Sequence, residues 1–316
     1  MKTQKLCAAE ARVTRVEHPC RAHVRLHFAL PSFPKSDPGQ FVQISAHPNR
    51  DDAPRELCWP TDEMPRPMMA DWSAEDAFLR RPFSLADRRE LADGRSELTV
   101  ISRAIGRGTR WLDSLQIGDA LNISGPLGRG FRLPAQSDTC ILVGGGVGIP
   151  PLIYLARQLC EARFSDVVVI LGAMSRDLLP VVLTAEPACN GAARECVLLA
   201  DGVSYPSIVA TNDGTLGIRG LVTDALREHV SHAGILADHT HVFACGPERM
   251  LHAVAEQTRA LGLHCQLCIE RMMGCGMGTC LSCVTAVNDA SRPAGWRWGL
   301  ACGEGPVFDR DRLKWD

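Results

Sequence analysis

Three things are scarce in this 316-residue chain. Excess charge is the first: 34 Lys and Arg against 36 Asp and Glu leave −2 at neutral pH, so no net field draws the protein to nucleic acid or an anionic membrane. A long apolar run is the second. The most apolar stretch, Cys140 to Ala156, is broken by three consecutive glycines and by Pro150 and Pro151, and it is shorter than the roughly 20 residues a bilayer helix needs. An export signal is the third, because Met1 to Arg12 is polar and charged. The expectation is a cytoplasmic protein with no membrane or nucleic-acid partner. In a reducing compartment its thiols serve metals or stay free. The length allows two or three domains.

Cysteine, by contrast, is abundant, with 14 in the chain. Cys275, Cys280, Cys283 and Cys302 follow C-x4-C-x2-C-x18-C, and Gly274, Gly276 and Gly278 are interleaved with the first three. Three thiolates on one tight loop and a fourth from further along are the plant-type [2Fe–2S] spacing, which satisfies two irons. A four-thiolate zinc site from Cys265, Cys268, Cys280 and Cys283 is also possible by arithmetic. Only residues 269–279 separate those two pairs, however, and a strand over His264–Glu270 turns Cys265 and Cys268 to opposite sides. Zinc would also leave Cys275, Cys302 and the glycines without a use.

Up to about residue 132 the pattern is short strands between turn residues: Ala22–Leu30, Gln40–Ser45, Pro82–Ala86, Glu97–Ser102 and Ala120–Ser124. Val24, Leu26, Phe28 and Leu30 alternate with Arg25 and His27, which predicts a half-buried strand in a small antiparallel barrel. A polar insert at about 46–78 interrupts it and reads as a surface excursion or a partner-contacting lid. Further on, Thr139–Val143 leads into Gly144-Gly145-Gly146-Val147-Gly148-Ile149-Pro150-Pro151 and a helical stretch from Leu152. Strand, glycine loop and helix form a dinucleotide-binding unit, although the strict G-x-G-x-x-G is absent. Strands at Val167–Gly172, Glu195–Ala200 and His241–Ala244 predict an open parallel α/β sheet.

With these pieces in order, Arg81-Pro82-Phe83-Ser84 resembles the flavin signature of the ferredoxin-NADP reductase superfamily. The resemblance implies that Arg81 binds a flavin pyrophosphate, that Phe83 lies against the flavin and that Ser84 sits near its reactive nitrogen. Gly106-Arg107-Gly108-Thr109, leading into a helix, supplies N–H groups for the same pyrophosphate. The Gly-x-Gly-x-x-Pro form of the glycine loop and Cys245-Gly246-Pro247 are likewise similar to that superfamily's nucleotide and nicotinamide motifs, which places Cys245 beside the nicotinamide. Arg176 could contact a 2′-phosphate, but the neighbouring Asp177 argues the other way and inclines the reading to NAD over NADP.

Over nearly the whole chain, from Leu79 to Leu85 through Ala210 to Gly220 and on to Cys302–Phe308, the sequence resembles the electron-transfer subunits of class 1B dihydroorotate dehydrogenase. That resemblance implies three parts: an antiparallel FAD-binding β-barrel (1–132), an open parallel α/β NAD-binding domain (133–263) and a small C-terminal [2Fe–2S] domain (264–316). It implies FAD, a [2Fe–2S] cluster on the four cysteines, NAD, and a catalytic FMN-containing dihydroorotate dehydrogenase subunit as partner, two of each chain. Electrons from dihydroorotate would pass through the cluster and FAD to NAD+. The small subunit of an NADH-dependent reduced-ferredoxin:NADP oxidoreductase, or of a sulfide dehydrogenase-like pair, has the same architecture. Departures are the insert, Asn212 where an acid is common, and a long Arg- and Trp-rich spacer before Cys302.

Overall fold

A computed structural model of the chain describes residues 7–45, 80–232 and 236–315. The insert at about 46–78 lies outside these residues.

The first unit is a curled antiparallel sheet of β1 (Cys7–Glu17), β2 (His23–Leu30), β3 (Phe41–Ser45), β4 (Arg81–Ser84), β5 (Asp87–Glu90), β6 (Ser96–Arg103) and β7 (Ala120–Leu127), in the order β4-β3-β7-β1-β2-β6-β5. One short segment joins its two edges. Arg81–Ser84 pairs with β3, Leu85 N–H donates to Gln40 O, Ala86 N–H donates to Thr99 O, and Asp87–Glu90 pairs with β6. The strand that carries the flavin-like motif therefore runs from one edge of the curl to the other. Alternation fills the interior with Val24, Leu26, Phe28, Val42, Ile44, Leu98, Val100, Leu121 and Ile123. Between β6 and β7, α1 (Arg107–Asp113) covers one end.

The second unit contains β8 (Thr139–Gly145), α2 (Ile149–Glu161), β9 (Val167–Ala173), β10 (Val182–Leu183), β11 (Arg194–Ala200), β12 (Val203–Thr211), β13 (Ile218–Arg219), α3 (Val222–His232), β14 (Thr240–Cys245), α4 (Glu248–Ala260) and β15 (His264–Cys268). Strands β12, β9, β8, β14 and β15 are parallel neighbours in that order. Cys140, Leu142, Val169 and Leu171 pack on α2, while Ile141, Val143 and Ile170 pack with α3 and α4, as a sheet covered on both faces requires. The centre is the expected open parallel sheet, but its flanks are antiparallel. β11 pairs antiparallel with β12 through an Asp201-Gly202 turn, with Gly202 at φ +74°, and no α-helix separates β9 from β11.

The third unit grows out of the edge of that sheet. After β15 the chain makes the cysteine loop, a hairpin of β16 (Val284–Asn288) and β17 (Trp296–Leu300), the turn α5 (Ala301–Glu304) and β18 (Val307–Asp309). β18 returns antiparallel beside β15, so everything between is anchored at both ends on one strand pair. The Arg- and Trp-rich spacer is the hairpin. Arg297 clasps Glu304 with bonds of 2.8 and 2.6 Å, which ties β17 to the turn carrying Cys302.

Candidate functional site

Peptide N–H groups aim at sulfur throughout the cysteine loop. Met277, Thr279 and Cys280 N–H point to Cys275 Sγ at 3.3–3.4 Å, Cys275 N–H to Cys280 Sγ at 3.4 Å, and Cys302 N–H to Cys283 Sγ at 3.4 Å. Gly276 and Gly278 have φ of +73° and +89°, the left-handed turn that lets successive N–H groups converge. The Ser282 hydroxyl, followed by the Ser282 and Cys275 N–H groups, pulls the Cys280 thiol down to about 6. Cys275 is lowered mainly by the Cys280 N–H. Cys302 is pushed up to about 12 by burial and by the neighbouring Cys283. The sulfurs thus form an outer pair, Cys275 with Cys280, and a buried pair, Cys283 with Cys302. Among the described residues no three metal-binding side chains cluster about one point; two sulfur pairs with N–H groups aimed at them suit a group with two irons, each taking two sulfurs. Cys265 and Cys268 are not part of this pocket, because they face opposite sides of β15, in different cores.

The flavin-like pieces also meet. A Cβ on Gly108 would lie 2.7 Å from Arg81 Nε, so the arginine of β4 lies along the first turn of α1, close against the glycine. The free donors differ from the sequence expectation. Thr109 Oγ1 accepts the N–H of Ile105 and of Gly106, each at 3.0 Å, and the helix's own bonding starts with Arg110 N–H to Gly106 O. The N–H groups with no intrahelical acceptor are those of Arg107, Gly108 and Thr109. Pro82 and Ser84 face Gln43 and Phe41 across the β4–β3 ladder, while Phe83 packs on the barrel core.

The two nucleotide motifs sit at the ends of adjacent strands, with Cys245 opposite Gly144. Gly148 must be glycine there, since a Cβ would fall 2.2 Å from the Cys245 carbonyl oxygen. Cβ atoms on Gly145 and Gly246 would each strike Met250 Sδ, at 2.4 and 2.5 Å. Pro247 starts α4, and Pro150 sits in the first turn of α2. A hydrogen bond with Cys268, and burial, hold the Cys245 thiol protonated, which suits packing beside a ring and not nucleophilic attack.

The three sites converge. Cys268, opposite Cys245 in register, reaches Gly39 O at 4.0 Å, and the next residue, Gln40, holds Leu85 at the end of the flavin-like strand. From the other side the cysteine loop presses on β3: a Cβ on Gly276 would lie 2.8 Å from Gln43 Nε2 and 3.1 Å from Leu127 Cδ1. Sequence reasoning passed over Gln43, which alternation alone marks only as an outward residue. Arg176, weighed above as a 2′-phosphate contact, is paired with Glu186 at 3.0 Å.

Two parts of the chain match known family models. Residues 270–314 match the iron–sulfur cluster binding domain of dihydroorotate dehydrogenase B, and residues 142–256 match an oxidoreductase NAD-binding domain. The electron transfer subunit of dihydroorotate dehydrogenase B (NAD(+)) from Geobacillus thermodenitrificans is 36% identical over 237 residues, 74% of this chain and 80% of that protein. The chain belongs to this family. The Bacillus velezensis member is also 36% identical, over 75% of this chain and 80% of its own. Among solved structures, an NADH-dependent reduced ferredoxin-NADP oxidoreductase superposes with a TM-score of 0.70 at 22% identity, covering 97% of this chain and 90% of that one. A ferredoxin NADP+ reductase from Neisseria gonorrhoeae gives 0.51 at 15%, covering 81% and 92%. At these identities the two structures establish the fold of the electron transfer subunit. Among the described residues, no helix is long and apolar enough to cross a membrane.

Proposed function

We propose that this chain is the electron-transfer half of a dihydroorotate-oxidising enzyme, working in the cytoplasm with an FMN-containing catalytic subunit, two of each chain, and delivering electrons to NAD+. The observation that carries the proposal is the convergence of the two-pair thiolate pocket, the Arg81–Ser84 strand and the Cys245 loop on one patch of the molecule. When bound, FAD supplies the interchange between one-electron and hydride chemistry.

The chain's own residues divide the remaining work. Cys275, Cys280, Cys283 and Cys302 hold the [2Fe–2S] cluster. Arg81 and the N–H groups of Arg107, Gly108 and Thr109 hold the flavin pyrophosphate, the guanidinium by a forked contact and the peptides by their dipoles. Ser84 offers a hydroxyl to the reactive edge of the flavin, with Pro82 and Phe83 shaping the strand around it. Gly144, Gly145, Gly146 and Gly148, with Pro150, let the NAD backbone approach the sheet. Cys245, Gly246 and Pro247 close over the nicotinamide, so that hydride transfer is a matter of alignment. The partner face is the rim of the cysteine loop, where Met272, Met277 and Leu281 are exposed and form an adaptable apolar surface. Met273, beside Met272 in sequence, packs instead against the core that contains Val287 and Leu313.

Reconstitution tests the reading. Alone, the protein is expected to oxidise NADH with artificial acceptors and to ignore dihydroorotate. With the FMN-containing subunit it is expected to form a tight complex that makes NADH from dihydroorotate. Tight association without that activity favours a ferredoxin:NADP oxidoreductase-like role, and failure of NADH to bleach the flavin favours a non-catalytic sensor.

A further inference from the structure

Gln43 stands on the outward face of β3, between Val42 and Ile44, which point into the barrel. It is 0% exposed, and neither Nε2 nor Oε1 has a hydrogen-bond partner among the described residues. Its surroundings account for the burial and not for the amide: Pro82 and Ser124 flank it in the ladders on either side, and Gly276 and Leu127 close over it. An aliphatic side chain would satisfy that packing, whereas a buried amide calls for an acceptor. The nearest chemistry is the cysteine loop, since Gly276 directly follows Cys275. The donors already aimed at the sulfurs, from Met277, Thr279, Cys280, Cys275 and Cys302, all belong to the third unit. Gln43 reaches the loop from the barrel side.

We propose that the Gln43 side-chain amide donates a hydrogen bond to a sulfur of the [2Fe–2S] cluster and thereby raises the cluster's reduction potential. Rotation about the last side-chain torsion exchanges the positions of NH2 and oxygen, so either side of the amide plane can present the donor. A proton donor at sulfur stabilises the extra negative charge that reduction brings, so it favours the reduced form. Gln43 also stands opposite Pro82 of the Arg81–Ser84 strand, so one side chain lies beside both the cysteine loop and the flavin-like motif.

The inference rests on the cluster ligation proposed above, and the two fail differently. Purified protein without iron and sulfide sinks the ligation; loaded protein with an unmoved potential sinks only the role of Gln43. The experiment is a potentiometric titration of the purified protein, reading the reduced cluster by its paramagnetic resonance and the flavin by its absorbance in the same sample. Gln43→Leu is expected to move the cluster's half-reduction to lower potential and leave the flavin's in place, while Gln43→His, which keeps an N–H donor, stays close to the native value. A shift of the flavin alone, or of neither, overturns the proposal. If Gln43→Leu fails to load, native protein carrying glutamine labelled with 15N in the side chain decides. A 15N coupling to the reduced cluster that disappears in Gln43→His supports the bond, and no such coupling in loaded native protein overturns it.

Discussion

Gly148 and Cys245 compete for one volume: a Cβ on the glycine would lie 2.2 Å from the cysteine's carbonyl oxygen and 2.4 Å from Gly246 N. The obstruction is backbone, which cannot swing aside as a side chain does. Gly148→Ala must therefore pry the β8 and β14 loops apart, costing about 1–3 kcal/mol of overpacking strain. Gly146→Ala meets nothing within 4 Å and faces only its φ of +52°, worth about 1–2 kcal/mol. The expected result is slower bleaching of the flavin by NADH in Gly148→Ala, with a larger rise in the NADH concentration needed than in Gly146→Ala. Equal behaviour of the two variants would refute the contact argument.

How much of this was legible depends on the kind of signal each element carries. Strand β2 declared itself by alternation, and the glycine loops by composition, because both signals are local. β12 did not: Pro206 within it argues against an interior strand, and it is tolerated because it sits opposite Glu195, before the parallel ladder begins at Ser207. The Asp201-Gly202 pair was the available hairpin signal. The β16–β17 hairpin was read as a mere spacer because Arg297 has meaning only once Glu304 is beside it. Gln43 was invisible for a similar reason, since an outward polar residue on a strand is unremarkable until another unit buries it. The motifs stood out in the sequence; their juxtaposition did not, because it is made by long-range contacts, Cys268 with Gly39 and Gly276 with Gln43.

Arg81 and Gly108 give a second test. If Arg81 holds the flavin pyrophosphate as proposed, Arg81→Ala is expected to weaken FAD retention by roughly 1.5–3 kcal/mol, the loss of one charge-assisted contact. Gly108→Ala places a methyl 2.7 Å from Arg81 Nε, an obstruction a flexible side chain can leave. It is expected to loosen FAD with little change in the melting temperature of the flavin-free protein. Equilibrium dialysis of FAD against each variant measures both effects, and release of FMN instead of FAD on heating would contradict the pyrophosphate assignment.

His27 links pH to stability. Burial, followed by Arg15, Arg25 and Arg89, pushes its pKa down to about 3 from 6.5, with Asp201 opposing. Glu17 and Glu97 also face it, but at 3.9 and 3.8 Å, too far to hydrogen-bond and reverse the effect of burial. Its Nε2 accepts from Arg15 and its Nδ1–H then donates to Thr99 Oγ1, each at 3.0 Å. Below pH 6.5 the unfolded chain binds a proton that the folded chain refuses. The contribution of neutral His27 is therefore complete above about 6.5 and is lost as pH falls toward 3, at up to about 1.4 kcal/mol per unit. Urea unfolding between pH 7.5 and 4.5 should show a shallower loss in His27→Gln than in the native protein; parallel slopes would rule this residue out as the source.

The four cysteines proposed as cluster ligands differ from the others in position. Cys275 and Cys280 form the outer pair, while Cys283 and Cys302 are 2% and 3% exposed. Serine at any of the four replaces a thiolate that must carry charge to ferric iron, and the expected outcome is loss of the cluster's visible absorbance and of iron and sulfide on anaerobic purification. Cys265→Ser and Cys268→Ser act elsewhere. Cys265 lies in the core beneath α4, and Cys268 lies between Cys245 and Gly39. Both are expected to retain two iron and two sulfide per chain, the complement of a [2Fe–2S] group. Burying a hydroxyl in place of a thiol is expected to lower their melting temperatures, and Cys268→Ser should alter NADH-dependent bleaching through its contact with Cys245. Retention of the cluster in Cys302→Ser together with its loss in Cys265→Ser would reassign the ligands to the zinc-like set.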